Sequence, residues 1–80
     1  MSGEVILYTR QGCHLCEEAR KEMDRLHSQA EFRLEIIDID RDPELQARFG
    51  DEVPVVFING RKAFKYRVDA REFLKRVKRP

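Results

Sequence analysis

The sequence predicts an α/β domain in which a four-stranded mixed sheet is flanked by helices, in the order β-α-β-α-β-β-α. Three patterns indicate this class. Short apolar runs alternate with segments of helical periodicity, an Asn-Gly pair separates two later strand-like runs, and a capped amphipathic segment ends the chain. No internal repeat or linker interrupts the pattern, so we predict a single domain over residues 1–80.

The first half of the chain predicts a β-α-β unit. Residues 5–8 are apolar throughout, as in a strand that is buried on both faces. Residues 32–39 begin by alternating and then become more apolar, which indicates a second strand parallel to the first. A helix to about Gln29 is expected between them, because apolar residues recur at steps of three and four: Leu15, Ala19, Met23, Leu26 and Ala30.

A short helix is predicted next. Asp42 is a favoured N-cap and Pro43 a favoured first helical residue. Leu45 and Phe49 lie four apart on one face, and Gly50 stands where a C′ glycine ends a helix.

The remaining residues predict a hairpin and a terminal helix. Asn59-Gly60 is typical of a type I′ turn, here between strands over residues 53–58 and 61–67. Asp69, with Glu72 three positions later, resembles a capping box. The buried stripe of the helix that follows is Ala70, Phe73, Leu74 and Val77.

Charge is abundant but balanced. Charged residues make up 39% of the chain, with 16 Lys and Arg against 15 Asp and Glu, so the net charge does not indicate a nucleic-acid partner. Residues 1–40 carry 5 basic and 9 acidic side chains, whereas residues 41–80 carry 11 and 6. A solvated face that complements a helix dipole is the default interpretation of the basic C-terminal group; a patch for an acidic protein or for nucleic acid is the alternative.

The N-terminal residues lack a basic region followed by an apolar one, and no run approaches 18 apolar residues. We therefore expect a cytoplasmic protein without membrane contact. We also expect it to be a monomer. Cytoplasmic thiols are kept reduced, so a lone cysteine pair is expected to be catalytic or metal-binding rather than structural.

Cys13 and Cys16, the only cysteines, form a C-x-x-C between the first strand and the first helix. Side chains three apart on a helical turn lie about 5–6 Å apart at Cβ, close enough to form a disulfide. The unpaired N–H groups and the positive dipole end of the helix favour a thiolate there. The pair is therefore predicted to be redox-active; an inert staple or a pair of core residues is the alternative.

Metal binding is the other chemistry open to two cysteines. The chain adds only His14 and His27, and His27 lies about 16 Å beyond Cys16 along the helix. Four ligands cannot converge within one chain, so we expect no metal site in it. A metal ion or iron–sulfur cluster shared between two chains stays open.

A strand, a C-x-x-C at a helix start and a Val-Pro that opens a hairpin together resemble the thioredoxin fold in its glutaredoxin-sized form. The resemblance covers nearly the whole chain and is most specific over Tyr8-Thr9-Arg10 through Cys16 and over Val53-Pro54-Val55-Val56-Phe57. It implies a thiol–disulfide oxidoreductase without a bound cofactor, acting on a protein or small-molecule disulfide. Its electrons would come from glutathione as co-substrate or from a donor of the thioredoxin-reductase type.

The resemblance also implies roles for individual residues. Cys13 corresponds to the exposed attacking thiol and Cys16 to the buried thiol that resolves the mixed disulfide. Arg10 corresponds to the basic residue that stabilises the thiolate and pairs with a glutathione carboxylate. Pro54 corresponds to a cis-proline that faces the dithiol, with the backbone of Val53 hydrogen-bonding an extended substrate.

Two segments depart from the family pattern. His14-Leu15 replaces the Pro-Tyr of glutaredoxins and the Gly-Pro of thioredoxins, so the reduction potential cannot be taken from either. A protonated His14 would favour the thiolate, and a solvent-facing residue without effect is the alternative. Residues 65–69 lack the Gly-Gly pair of glutaredoxins; Asp69 is predicted to be the acidic member of that substrate site, while Tyr66 and Arg67 would crowd it.

A different class of function stays open beside this one. The chain could serve as a binding module without enzymatic activity, which docks a partner through its Val53-Pro54 edge or its basic C-terminal residues.

Overall fold

The elements follow the predicted order in a computed structural model, which describes residues 3–78. The strands are β1 (Gly3–Thr9), β2 (Phe32–Asp38), β3 (Val55–Ile58) and β4 (Arg61–Lys65). The α-helices are α1 (His14–Leu26), α2 (Pro43–Phe49) and α3 (Ala70–Val77), and a 3-10 turn, Ile39–Arg41, precedes α2. The predicted α/β class is confirmed. Within the described residues, none of the helices combines the length and the apolar composition that a bilayer crossing requires.

Strand β1 lies inside the sheet, whose order is β2-β1-β3-β4. It pairs in parallel with β2, from Gly3 opposite Phe32 to Thr9 opposite Asp38, and antiparallel with β3. Because β1 and β2 run in the same direction, their carboxyl ends meet at one edge of the sheet. The cysteine segment leaves the sheet from that edge.

One face of the sheet is covered by α1 and α3. Met23 and Leu26 of α1 and Phe73 of α3 are fully buried there. They pack against alternate residues of the strands, since side chains at every second position share a face: Val5, Leu7, Phe32, Val56 and Ile58.

The short helix α2 lies on the other face. The Phe49 ring stacks on Tyr8, with centroids 4.8 Å apart, and meets Phe57 edge-on at 5.8 Å. The same apolar cluster includes Cys16, and it is completed by Ile39, Val53 and Val55. The packing that holds α2 therefore extends to the cysteines.

The hairpin turn is of the predicted kind. Asn59 and Gly60 have φ values of 51° and 84°, the left-handed conformation that both central residues of a type I′ turn require. Two hydrogen bonds to Glu4 hold Asn59 in this conformation. The side-chain Oδ1 of Asn59 accepts from the Glu4 N–H at 2.9 Å, and the Asn59 N–H donates to the Glu4 carbonyl at 2.7 Å.

Two predicted boundaries in the first β-α-β unit are wrong, by three residues at the end of α1 and by one residue at the end of β2. Helix α1 ends at Leu26 and not at Gln29, because Ser28 and Gln29 donate to carbonyls three residues back and the Ser28 hydroxyl binds the Arg25 carbonyl at 2.7 Å. Strand β2 ends at Asp38, whose carboxylate accepts from the Asp40 N–H and starts the 3-10 turn.

The hairpin strands are shorter than predicted. Strand β3 begins at Val55 and not at Val53, since the Val53 N–H donates to the end of α2 and Pro54 has no N–H to offer a ladder. Strand β4 ends at Lys65 and not at Arg67, because Tyr66 turns the chain with a φ of 68°.

The predicted C′ glycine of α2 is also wrong. Gly50 has a φ of −53° and keeps the right-handed conformation, and its N–H donates to the Gln46 carbonyl at 2.9 Å. The chain therefore leaves α2 without a left-handed residue at this position.

Phe73 is expected to be essential for stability, because its fully buried ring meets Phe32 edge-on and closes the core between α3 and the sheet. Phe73→Ala should lower the free energy of unfolding by about 3–5 kcal/mol, measured by urea denaturation. Leu74→Ala, at the adjacent and only partly buried position, is the control and should cost clearly less. Equal losses in the two variants would contradict this packing.

Candidate active site

The cysteines lie where β1 leads into α1. They form a disulfide with Cα atoms 5.2 Å apart, which is within the usual range. Cys13 is the N-cap of α1, and its Sγ accepts a hydrogen bond from the Cys16 N–H at 3.2 Å. Gly12 has a φ of 73°, a conformation that glycine adopts without strain, and this lets the chain turn from strand to helix just before the pair.

The two sulfurs differ in access. Cys16 is 2% exposed and belongs to the apolar cluster under α2, whereas Cys13 is only half-buried. Apolar surroundings favour a neutral thiol, and the N-terminus of a 13-residue helix favours an anion by about 0.3–1 kcal/mol. The arrangement therefore suits Cys13 for attack on an incoming sulfur and Cys16 for a second step from within.

A cleft of about 360 Å³ brings Arg10 together with both cysteines, and Glu17 and Arg20 of α1 line it as well. The Arg10 guanidinium forms an ion pair with Asp40 at 3.2 Å and donates to the Gly50 carbonyl at 3.3 Å. In the disulfide form, the hydrogen bonds of Arg10 are thus made with the 3-10 turn and the end of α2.

Asp40 is a site residue that the sequence analysis missed. Besides binding Arg10, its carboxylate accepts from the Gln11 N–H at 3.4 Å, and its carbonyl accepts from the Gln46 side chain at 3.1 Å. It thereby ties the segment before Cys13 to α2. The signal was present in the sequence, because Asp40 follows a strand parallel to β1 and the two strands end at the same edge.

The histidines lie outside this cleft. The His14 imidazole is 82% exposed, and its Nε2 lies 3.3 Å from a carboxylate oxygen of Glu18. His27 stacks on Phe32 with ring centroids 4.0 Å apart. Among residues 3–78, no three His, Cys, Asp or Glu side chains are grouped so that they could hold a metal ion.

Asp69 serves as a helix cap. It is the N-cap of α3, and its carboxylate accepts from the Glu72 N–H at 3.1 Å. The Glu72 carboxylate forms an ion pair with Arg76 at 3.1 Å on the exposed face of α3. Asp69 does not line the cleft that holds the cysteines.

The Val53–Pro54 peptide is cis, and both residues are buried. Val53 packs in the same apolar cluster as Cys16, so this loop lies close to the dithiol. The Val53 N–H donates to the Phe49 carbonyl at 3.1 Å, and the Pro54 carbonyl accepts from the Tyr66 N–H at 2.8 Å. The Val53 carbonyl is therefore the group of this residue that could accept a hydrogen bond from a substrate.

An ion pair between Glu52 and Lys62 connects the loop before Pro54 to β4. Lys62 Nζ donates to the Glu52 carboxylate, and this hydrogen bond lowers the pKa of Glu52, with the charges of Lys62 and Lys65 acting in the same direction. A carboxylate whose pKa is lowered in the folded protein stabilises the fold at every pH above its ordinary pKa. This contribution is lost as the pH falls through the lowered pKa. The link between the loop and β4 is thus expected to weaken only in acid.

Comparisons with known proteins agree on the kind of domain. A family model described as "Glutaredoxin-like domain (DUF836)" matches residues 4–78. An uncharacterised protein of Mycobacterium tuberculosis is 37% identical over 71 residues, covering 82% of this chain and 73% of that protein. Two solved structures are similar. Protein Ne2328 of Nitrosomonas europaea has a TM-score of 0.84 and 30% identity, covering 96% of this chain and 93% of that one.

The second structure is NrdH-redoxin of Escherichia coli, described as a glutaredoxin-like protein with a thioredoxin-like activity profile. It has a TM-score of 0.67 and 25% identity, and the match covers 96% of this chain and 99% of that one. A thioredoxin of Halobacterium salinarum shares the fold at a TM-score of 0.65. The thioredoxin-like fold and the resemblance to glutaredoxins are confirmed.

Asp40 is expected to limit the effect of Arg10 on Cys13, since its negative charge compensates the guanidinium beside the cleft. Asp40→Asn removes the charge and keeps the size of the side chain and one of its two acceptor oxygens. In the reduced protein, the midpoint of the pH profile for alkylation of Cys13 should move down by about half a unit, the effect of one nearby surface charge.

Asp42→Asn is the matched control, because Asp42 lies two residues further on, caps α2 and is not paired with Arg10. The same shift in both variants, or an upward shift for Asp40→Asn, would contradict the assignment.

Proposed function

Because the chain belongs to the glutaredoxin-like domain family (DUF836), we propose that it is a thiol–disulfide oxidoreductase that reduces disulfides through Cys13 and Cys16. One observation carries the proposal. A half-buried sulfur caps the N-terminus of α1, and a buried sulfur lies within disulfide reach of it on the next helical turn. This is the arrangement that a two-step exchange requires.

The first step is attack by the Cys13 thiolate on one sulfur of a substrate disulfide. A sulfur–sulfur bond forms between Cys13 and the substrate, the substrate's own disulfide breaks, and the leaving thiolate takes a proton from water. The hydrogen bond from the Cys16 N–H to the Cys13 sulfur supports the thiolate before attack.

In the second step Cys16 loses its proton and attacks the Cys13 sulfur. The Cys13–Cys16 disulfide forms and the second substrate sulfur leaves as a thiolate, so two electrons pass from the dithiol to the substrate. The short Cα separation lets this happen without refolding. An external thiol or a reductase then returns two electrons to the protein.

The other predicted site residues have subordinate parts in the proposal. Arg10 raises the positive potential of the cleft around Cys13, tempered by Asp40. His14 adds to that potential when protonated. The Val53 carbonyl, beside Pro54, accepts a hydrogen bond from an extended substrate. Asp69 lies outside the cysteine cleft, and its part is to orient the start of α3 next to residues 65–68.

The electron donor in the proposal is of the thioredoxin-reductase type, with glutathione as the alternative. The description of NrdH-redoxin as thioredoxin-like in activity supports this choice, and so does the absence of the Gly-Gly pair in residues 65–69. We place the activity in a reducing compartment such as the cytoplasm, where a regenerated dithiol would persist.

The central test is the Cys13–Cys16 equilibrium in graded glutathione buffers, read by alkylation and mass. A reversible internal disulfide between about −180 and −270 mV is expected, the range of known redoxins. Abundant glutathione adduct at Cys13 would support the glutathione-linked alternative. Thiols that stay unpaired across the series, or that react only after loss of a bound metal, would refute the redox function.

Replacement of each cysteine is expected to stop the reaction at a different step. Cys13→Ser should abolish reduction of a model disulfide, because no accessible nucleophile remains. Cys16→Ser, the matched variant, should accumulate a mixed disulfide on Cys13 that mass spectrometry detects. Accumulation of that adduct on Cys16 in Cys13→Ser would reverse the assigned roles.

A further inference from the structure

Among residues 3–78, two large apolar side chains are classed as exposed: Ile36 at 40% and Tyr66 at 44%. Both lie beside the cysteine segment. Ile36 lines the cleft that contains Cys13 and Cys16, and Tyr66 lines a second groove together with Leu15, which stands between the cysteines in the sequence. A singly exposed apolar side chain is ordinary on a protein surface, so the significance of these two lies in their position beside the reactive pair.

Tyr66 is held in place by its backbone. Its φ of 68° lies in the left-handed region, which is unfavourable for a residue with a Cβ. Its N–H donates to the Pro54 carbonyl at 2.8 Å, so its backbone is tied to the loop whose Val53 packs with Cys16. A strained conformation that keeps an aromatic ring in solvent indicates a use for that ring.

The second groove, here called the Tyr66 groove, has a volume of about 390 Å³ and lies between α1 and the segment that joins β4 to α3. Its apolar lining consists of Leu15, Ala19, Tyr66 and Val68. The groove can therefore take an apolar side chain next to Leu15, the residue that precedes Cys16.

The side chains that line the Tyr66 groove carry a net positive charge, with Lys21, Arg25 and Arg67 against Glu18 and Glu22. Glu22 pairs with Arg25 at 3.1 Å, and Glu18 lies 3.3 Å from His14 Nε2, an ion pair only when the imidazole is protonated. Lys21 and Arg67 form no ion pair within the described part of the chain. In addition, Lys65 Nζ lies 5.6 Å from the Tyr66 ring centroid. The groove thus offers an apolar floor under a rim in which cations outnumber carboxylates.

We propose that the Tyr66 groove binds a polypeptide substrate, through an apolar side chain and an acidic side chain that flank its disulfide cysteine. This rests on the proposed function and names the substrate class of the same site. A chain joined to Cys13 by a mixed disulfide would pass over Leu15 into the groove. Glutathione offers carboxylates but no apolar side chain, so it would leave the floor of the groove uncovered.

The test uses three hexapeptides whose single cysteine is capped as a mixed disulfide with 2-mercaptoethanol. One carries Leu and Glu beside the cysteine, one Leu and Lys, and one Ser and Glu. Second-order rate constants for oxidation of the pre-reduced protein are measured by stopped flow and divided by the rate constant for hydroxyethyl disulfide. The Leu-Glu peptide should react at least about fivefold faster than either of the others, as expected for one apolar and one charged contact.

Three variants separate the contacts. Tyr66→Gly removes the ring and relieves the backbone strain, so a folding defect is not expected, and the preference for Leu over Ser should fall towards one. Arg67→Glu should abolish or reverse the preference for Glu over Lys. Arg61→Glu makes the same charge change at the opposite end of β4 and should leave both preferences as they are.

Equal rates for the three peptides with the wild-type protein would overturn the proposal, and so would equal effects of Arg61→Glu and Arg67→Glu. In either case a normal rate with hydroxyethyl disulfide would leave the proposed function standing. Titration of the Leu-Glu peptide, with Ser in place of its cysteine, tests docking without chemistry. Saturable amide shifts at Leu15 and at residues 66–68 in NMR spectra support the proposal, even for a protein that reduces no disulfide, and their absence refutes it.

Discussion

Hydrogen bonding of β1 along both of its edges fixes the end of the sheet from which the cysteine segment departs. Strand β1 is paired with β3 as far as Tyr8 and with β2 as far as Thr9, and four residues later Cys13 caps α1. Helix α1 is held in turn by Met23 and Leu26 in the core. The two sulfurs are therefore placed by the sheet and the helix together, and loop flexibility has little influence on their separation.

The electrostatics of the site follow from the same edge of the sheet. Parallel pairing of β1 and β2 brings the segments after Thr9 and Asp38 side by side, so Arg10 and Asp40 meet as an ion pair next to the cleft. The dipole of α1, the Arg10 guanidinium and the Asp40 carboxylate act on Cys13 from nearby positions and with different signs. Thiolate stability at Cys13 thus depends on the junction of three elements and not on the C-x-x-C alone.

Two exposed apolar side chains lie beside the otherwise polar cleft of the dithiol. Ile36 and Tyr66 flank the cysteine segment on two sides, and the loop at Pro54 is packed into the core. Tyr66 takes part in both the loop and the exposed surface, because its amide holds the Pro54 loop while its ring faces solvent. A contact surface of this kind extends recognition beyond the reacting sulfurs and connects the chemistry of the pair to the choice of substrate.

Local patterns in the sequence sufficed for the α/β class, the order of the elements, the type I′ turn at Asn59-Gly60 and the cysteine pair at a helix start. Each of these depends on residues close together in the chain, where side-chain periodicity and backbone preference act directly. The cis-proline and the roles of Arg10 and Asp69 were anticipated only through resemblance to a family. The helix-capping role of Asp69, by contrast, was predicted from its spacing to Glu72, and the structure shows it.

Tertiary structure decided the rest, because the deciding partners are distant in sequence. The pairing of Arg10 with Asp40 requires two parallel strands, and the left-handed turn at Tyr66, which ends β4, is held by a hydrogen bond to Pro54. The early end of β2 and the conformation of Gly50, by contrast, reflect local hydrogen bonds, within the 3-10 turn and to the last turn of α2. The sequence by itself determined which residues could perform the chemistry, and the packing of the sheet determined which other residues surround them.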